Sequence, residues 1–156
     1  MGTIIKYGDG AMVFGLFGKS DEKIQELIDN KEFDELPIEV IDELGKELIV
    51  TTEMTLSGYE VTQRIDIVTA ECVFGMNMFR DMFAGIRDIF GGRSSASQKV
   101  LRDARHTCLT ELRREALIVG ANAVIAVDLD YSEISGDGKS MLLVVTTGTA
   151  CIVEKK

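Results

Sequence analysis

AGIRDIFGGRS, Ala84 to Ser94, is the stretch from which the fold is read. Leading into it, Phe79, Met82, Phe83, Ile86 and Ile89 or Phe90 recur every three or four residues, the spacing of a helix with one wide apolar face, while Arg80, Asp81, Arg87 and Asp88 fill much of the remainder. Gly91 and Gly92 break that pattern, and Ser94 and Ser95 are suited to cap another helix. The second helix is predicted from about Ser97 to Val119, with Leu101, Ala104, Cys108, Leu112, Ala116 and Val119 along its core side.

Strand patterns flank this helical pair. ELIVTT, Glu47 to Thr52, is β-branched, and Ser57 with Gly58 marks a turn before a strand over Tyr59 to Phe74. Alternation along a strand puts Val68, Ala70, Cys72 and Phe74 on one face and Ile67, Thr69 and Glu71 on the other, so Cys72 is expected to pack inward. Downstream, Ala123 to Tyr131 and Met141 to Val153 read as two strands joined by a loop holding Gly136, Asp137 and Gly138. The order strand, strand, helix, helix, strand, strand predicts an α+β fold, a largely antiparallel sheet with helices on one side.

Residues 1–47 differ in character from residues 48–156. Met1 to Leu48 holds 12 acids against 5 bases, a net of −7 out of −9 for all 156 residues. Ile4 to Phe17 reads as a short hairpin around Gly8, Asp9 and Gly10. Ser20 is placed as an N-cap for a helix carrying Ile24, Leu27 and Ile28, and Pro37 in the first turn of a second carrying Val40, Ile41 and Leu44, which Gly45 can end. The contrast predicts an acidic accessory segment, separable from the main domain.

With 46% hydrophobic and 28% charged residues the chain is globular, and its acidity repels a phosphate backbone, excluding nucleic acid as an expected partner. The start MGTIIK has no basic region followed by an apolar stretch, and Gly120 and Asn122 interrupt the longest apolar run, so neither a secretory signal nor a membrane span is expected. A cytoplasmic protein with Cys72, Cys108 and Cys151 as reduced core thiols is the expectation.

Taken together, the VTT opening at Val50 to Thr52, IVTAE at Ile67 to Glu71, AGIRDIFGGRS, the ALIVGANAV helix exit and the closing GTA at Gly148 to Ala150 resemble the small bacterial and archaeal YbjQ-like proteins, a family classed by name with heavy-metal-binding domains. The resemblance covers about Ile49 to Lys156 and implies a dodecin-subunit-like α+β fold assembled as a pentameric ring. This chain departs from the family pattern at Asp66, Ala70 and Ala126, where glycine is frequent. The resemblance implies binding of a metal or small ligand without naming either, and the cofactor is unknown.

Ligand or interface candidates are Glu71, Arg87, Asp88, Gly91, Gly92, Arg93 and Asn122. Glu71 is the one charge within Val68 to Phe74, readable as a functional carboxylate or as half of an ion pair. The joint at Gly91 to Ser95 has the parts of an anion site, and equally those of two helix caps with Arg93 anchoring a neighbouring subunit. Asp128 and Asp130 alternate onto one strand face, as hard-cation ligands or as a polar strand end facing water. His106 and Cys108, about 200° apart on a helix, cannot chelate one ion. No serine or cysteine lies in sequence beside a plausible histidine base, so binding or scaffolding is favoured over catalysis. The alternative is an enzyme whose site forms at subunit interfaces.

Overall fold

The computed structural model describes residues 3–7, 10–14, 20–75, 95–136 and 139–156. In order these form β1 (Thr3–Tyr7), β2 (Gly10–Phe14), α1 (Ser20–Asp29), a 3-10 turn (Phe33–Glu35), α2 (Ile38–Gly45), β3 (Ile49–Val50), β4 (Tyr59–Gly75), α3 (Ser95–Ile118), β5 (Ala123–Gly136) and β6 (Lys139–Lys155). The helix expected ahead of Gly91 falls outside the described residues.

β1 and β2 pair as an antiparallel hairpin. The other four strands form one sheet in the order β3-β5-β6-β4. β6 is antiparallel to both neighbours, and the short β3 runs parallel to β5, so the sheet is largely antiparallel as the alternation predicts. Val68, Ala70 and Cys72 are buried on the face that α3 covers, whereas Ile67 and Val73, on the opposite face, are 73% and 60% exposed. The period-2 reading of β4, Cys72 included, is thus what the sheet adopts.

α3 lies close to that sheet because its contact side is made of small residues. Val100, Ala104, Cys108, Leu112, Ala116 and Leu117 are buried, four of them with no more bulk than a cysteine or valine. Leu101 and Val119, expected in the core, are exposed instead, while their sequence neighbours Val100 and the near-terminal Leu117 turn inward. Both misplaced residues flank the true stripe, where hydrophobicity alone cannot choose between adjacent positions. The helix ends in a Schellman motif: Gly120, at φ +79°, donates to the Leu117 carbonyl and Ala121 to that of Ala116.

α2 starts and ends differently from the sequence reading. Pro37 is its N-cap, outside the helix, and Gly45 is its last residue, followed by Lys46 in an ordinary right-handed conformation. Gly45 does not terminate the helix in a left-handed turn; it is buried and lies against the Arg113 stem. Across the same contact Arg114 holds Asp42 in a two-pronged bridge, Nε to Oδ1 at 2.6 Å and Nη2 to Oδ2 at 2.9 Å, and also engages Glu111. The Arg114 bond keeps the Asp42 carboxyl below the ordinary carboxylate range.

The acidic segment shares the main core. Ile24, Leu27, Phe33, Val40, Ile41 and Leu44 are buried in one apolar cluster with Cys72, Cys108, Leu112 and Val144. Its charges decorate the outer side of elements whose inner side completes the domain. A smaller cluster on the other face of the sheet joins Ala123, Ile125, Cys151 and Val153 to Leu56 and Tyr59.

Candidate functional site

The face of the sheet turned away from α3 brings together several of the candidate residues. Along β4, β6 and β5 the register aligns Thr69 with Thr147 and Asp128, and the next row aligns Glu71 with Val145 and Asp130. Asp128 and Asp130 do share a face, and Glu71 lies on that same face two strands away. All three carboxylates are exposed. Around them run Ile67, Val73, Met141 and Ile134, at 73%, 60%, 39% and 47% exposure, so the acids sit among exposed apolar side chains.

A bulge in β5 produces this alignment. Between Ile125 and Asp128 the register shifts, and Ala126 sits at φ +53°, in the left-handed region that suits glycine. Its N–H leaves the β6 ladder and donates to Glu53 O at 2.9 Å, while Val127 donates to Thr51 O. The chain after β3 is thereby tied across the bulge. Opposite it, Gly148 has no room for a side chain: a Cβ would lie 2.4 Å from Val124 Cγ1 and 3.1 Å from Val127 Cγ2.

Asn122 is engaged by the backbone. Its Nδ2 donates to Val153 O at 2.9 Å and its Oδ1 accepts from Val153 N at 2.8 Å, so the amide extends the β5–β6 ladder by a backbone-like pair. Arg87, Asp88, Gly91, Gly92 and Arg93 lie outside the described residues.

A second grouping, which no spacing in the sequence suggests, is a pair of core thiols. Cys108 Sγ donates to Ala70 O at 3.1 Å and lies 3.5 Å from Val144 O. Ala70 precedes Cys72 by two residues on β4, and Val144 is the cross-strand partner of Cys72, so the two thiols occupy one pocket beneath α3. Burial, and then the neighbouring Cys72, push the Cys108 thiol up to about 11. Both thiols are free, as is Cys151 in the other apolar cluster, whose thiol is also raised by burial. Protonated and desolvated, Cys108 and Cys151 are poor nucleophiles. His106 is exposed while Cys108 is fully buried, in keeping with opposite helix faces. Among the described residues no three histidine, cysteine or carboxylate side chains converge to hold a metal ion, and no helix is long and apolar enough to cross a membrane.

Residues 48–154 match the YbjQ family model, whose description is "putative heavy-metal-binding", and the chain belongs to that family. A solved protein of unknown function from Pediococcus pentosaceus, of the DUF74 family, superposes with a TM-score of 0.50 at 16% identity, over 69% of this chain and 98% of that one. At that identity the likeness is one of fold. α1 and α2 lie before the matched residues.

Proposed function

We propose that this YbjQ family member is a cytoplasmic, self-assembling protein whose work is binding or scaffolding, built as a pentameric ring of dodecin-like subunits that holds a metal or small ligand. The observation that carries the reading is the exposed part of the sheet face, where Ile67 at 73% and Val73 at 60% exposure border a row of carboxylates. Several large apolar side chains exposed on one face mark an interaction surface.

Charge argues for a ring over a twofold pair. An isologous contact would set Glu71, Asp128 and Asp130 of one copy against the same acids of another, which repels. The exposed side of α3 offers the opposite character, with Leu101 beside Arg102 and Arg105. Packing the acidic sheet face of one copy on the basic helix side of the next is a heterologous contact, which closes into a ring when the rotation between copies divides a full turn.

Light scattering after size exclusion tests this. The mass should be about five times the 17.2 kDa chain, and Val73→Glu should release monomer. A wild-type monomer at micromolar concentration would overturn the assembly.

A further inference from the structure

Half-buried guanidinium groups normally face a carboxylate, and α3 carries two arginines in sequence that differ in this respect. Arg114 takes Asp42 and Glu111. Arg113, also partly buried, has a single hydrogen bond among the described residues, a long one of 3.5 Å from Nη1 to Leu109 O. Burial alone lowers its tendency to stay charged, with no carboxylate raising it. A desolvated cation without a counter-ion is costly to keep, unlike a snorkelling surface arginine.

Arg113 faces a cleft of about 570 Å³ between α2 and α3, within the size range of small-molecule sites. His106, Thr110 and Arg113 are spaced four and then three residues apart, so they form one stripe along α3. Ile41 and Leu109 supply apolar wall beside them. The acids of the α2 wall are occupied, Asp42 by Arg114 and Glu43 by Lys46. Gly45 lines the same cleft, with the Arg113 stem packed against it at van der Waals range of where a Cβ would stand.

We propose that this cleft binds a small organic carboxylate with an apolar body, its anionic group on the Arg113 guanidinium and its body against Ile41 and Leu109; the Thr110 hydroxyl keeps its own bond to the His106 carbonyl. One wall comes from α2, ahead of the residues matched to the family, so the site belongs to the accessory segment joined to the main domain. It depends neither on ring assembly nor on a metal.

His106 is the single histidine of the chain and lines the cleft, which makes its imidazole resonance a local reporter. The full-length protein is titrated with sodium benzoate, with inorganic phosphate and with sodium chloride at matched ionic strength. The expected result is a saturable shift of the His106 signal with benzoate, at least tenfold tighter than with phosphate. Arg113→Gln weakens it tenfold or more, and Arg102→Gln leaves it in place. Arg113→Met is expected to match or exceed the wild-type melting temperature while losing benzoate binding, which separates a ligand group from a structural one. Three results would each overturn the proposal: both anions acting like chloride, phosphate binding more tightly than benzoate, or benzoate binding unchanged in Arg113→Gln.

Discussion

Replacing Ala126 with glycine should stabilise the protein, although glycine in a strand ordinarily does the opposite. In a regular strand, alanine to glycine costs roughly 0.5–1 kcal/mol. Ala126 is not in regular strand geometry: at φ +53° its Cβ crowds the carbonyl that follows, worth about 1–2 kcal/mol for a residue other than glycine. Glycine removes that strain. Against it stand about 0.4–1 kcal/mol for the freer unfolded chain and a few tenths for the lost methyl contact of a half-buried side chain. The balance is a gain of about 0.5 kcal/mol, at most about 1, or roughly 1–4 °C in melting temperature for a chain of this length. The hydrogen bonds from Ala126 N to Glu53 O and from Val127 N to Thr51 O fix the conformation, so glycine inherits the same bulge. Urea unfolding and thermal melts of Ala126→Gly and Ala126→Val provide the test, with valine expected to fall below wild type because branching at Cβ worsens left-handed strain. A loss of stability in Ala126→Gly comparable to the regular-strand cost would refute the left-handed bulge, and with it the alignment of Asp128 and Asp130 beside Glu71.

Gly148→Ala is expected to cost about 1–3 kcal/mol, since its Cβ would sit 2.4 Å from Val124 Cγ1 in a tightly packed layer, and a chemical melt reads this directly. Lys31, left-handed at φ +60° after α1, should tolerate Lys31→Gly with a gain of up to about 1 kcal/mol in the same assay. Between about pH 9 and 11 the unfolded Cys108 thiol has released a proton that the folded one keeps. Stability is therefore held below that window and falls as pH rises through it, and melts of wild type against Cys108→Ala should converge across the window. Elemental analysis of reduced protein purified without chelator or affinity tag should find well under one zinc, copper or cadmium per chain. A tightly held ion would contradict this, and Cys72→Ala, Cys108→Ala and Cys151→Ala would identify the thiols responsible. Deleting Met1 to Gly45 strips eight buried apolar side chains from the shared core, on the order of 10 kcal/mol of burial, so the truncated chain should lose its cooperative melt.

Period-2 and period-3.6 patterns made the sheet order of faces and the long helix legible, because burial on one side leaves its mark at every second or every third and fourth residue. What they could not show is where a strand departs from its own period. Ala123 to Tyr131 reads as unbroken alternation, yet the bulge at Ala126 inserts a residue, so Ile125 and Asp128, three apart, lie on one face. The sole local clue was alanine standing where the family often has glycine, a position of close approach or left-handed backbone. The thiol pair and the Arg113 cleft had no clue of this kind. Cys72 and Cys108 are 36 residues apart, and the cleft joins Ile41 and Gly45 to Arg113 across the whole of β3 and β4. Contacts between distant segments are set by how elements dock, which one sequence does not record.

The accessory segment shows the same limit in a different form. Its net charge of −7 is a property of the surface it presents, and says nothing about what its inner side covers. The physical question was already posed by Ile24, Leu27 and Ile28, then Val40, Ile41 and Leu44: helices of ten and eight residues cannot hold themselves together in water, so their stripes must be buried against something larger. The hairpin and 3-10 turn available within residues 1–47 offer too little apolar area for that, given how sharply buried fraction falls with chain size. Docking on the main domain is the remaining way to bury both stripes, and α2 does so on α3, through Gly45 against Arg113 and Asp42 on Arg114. The contact that removes those apolar side chains from water also leaves the Arg113 guanidinium facing a cleft with no carboxylate bonded to it among the described residues. Stability and the candidate ligand site therefore arise from the same docking event, and a substitution that loosens α2 from α3, such as Asp42→Ala, should weaken both together.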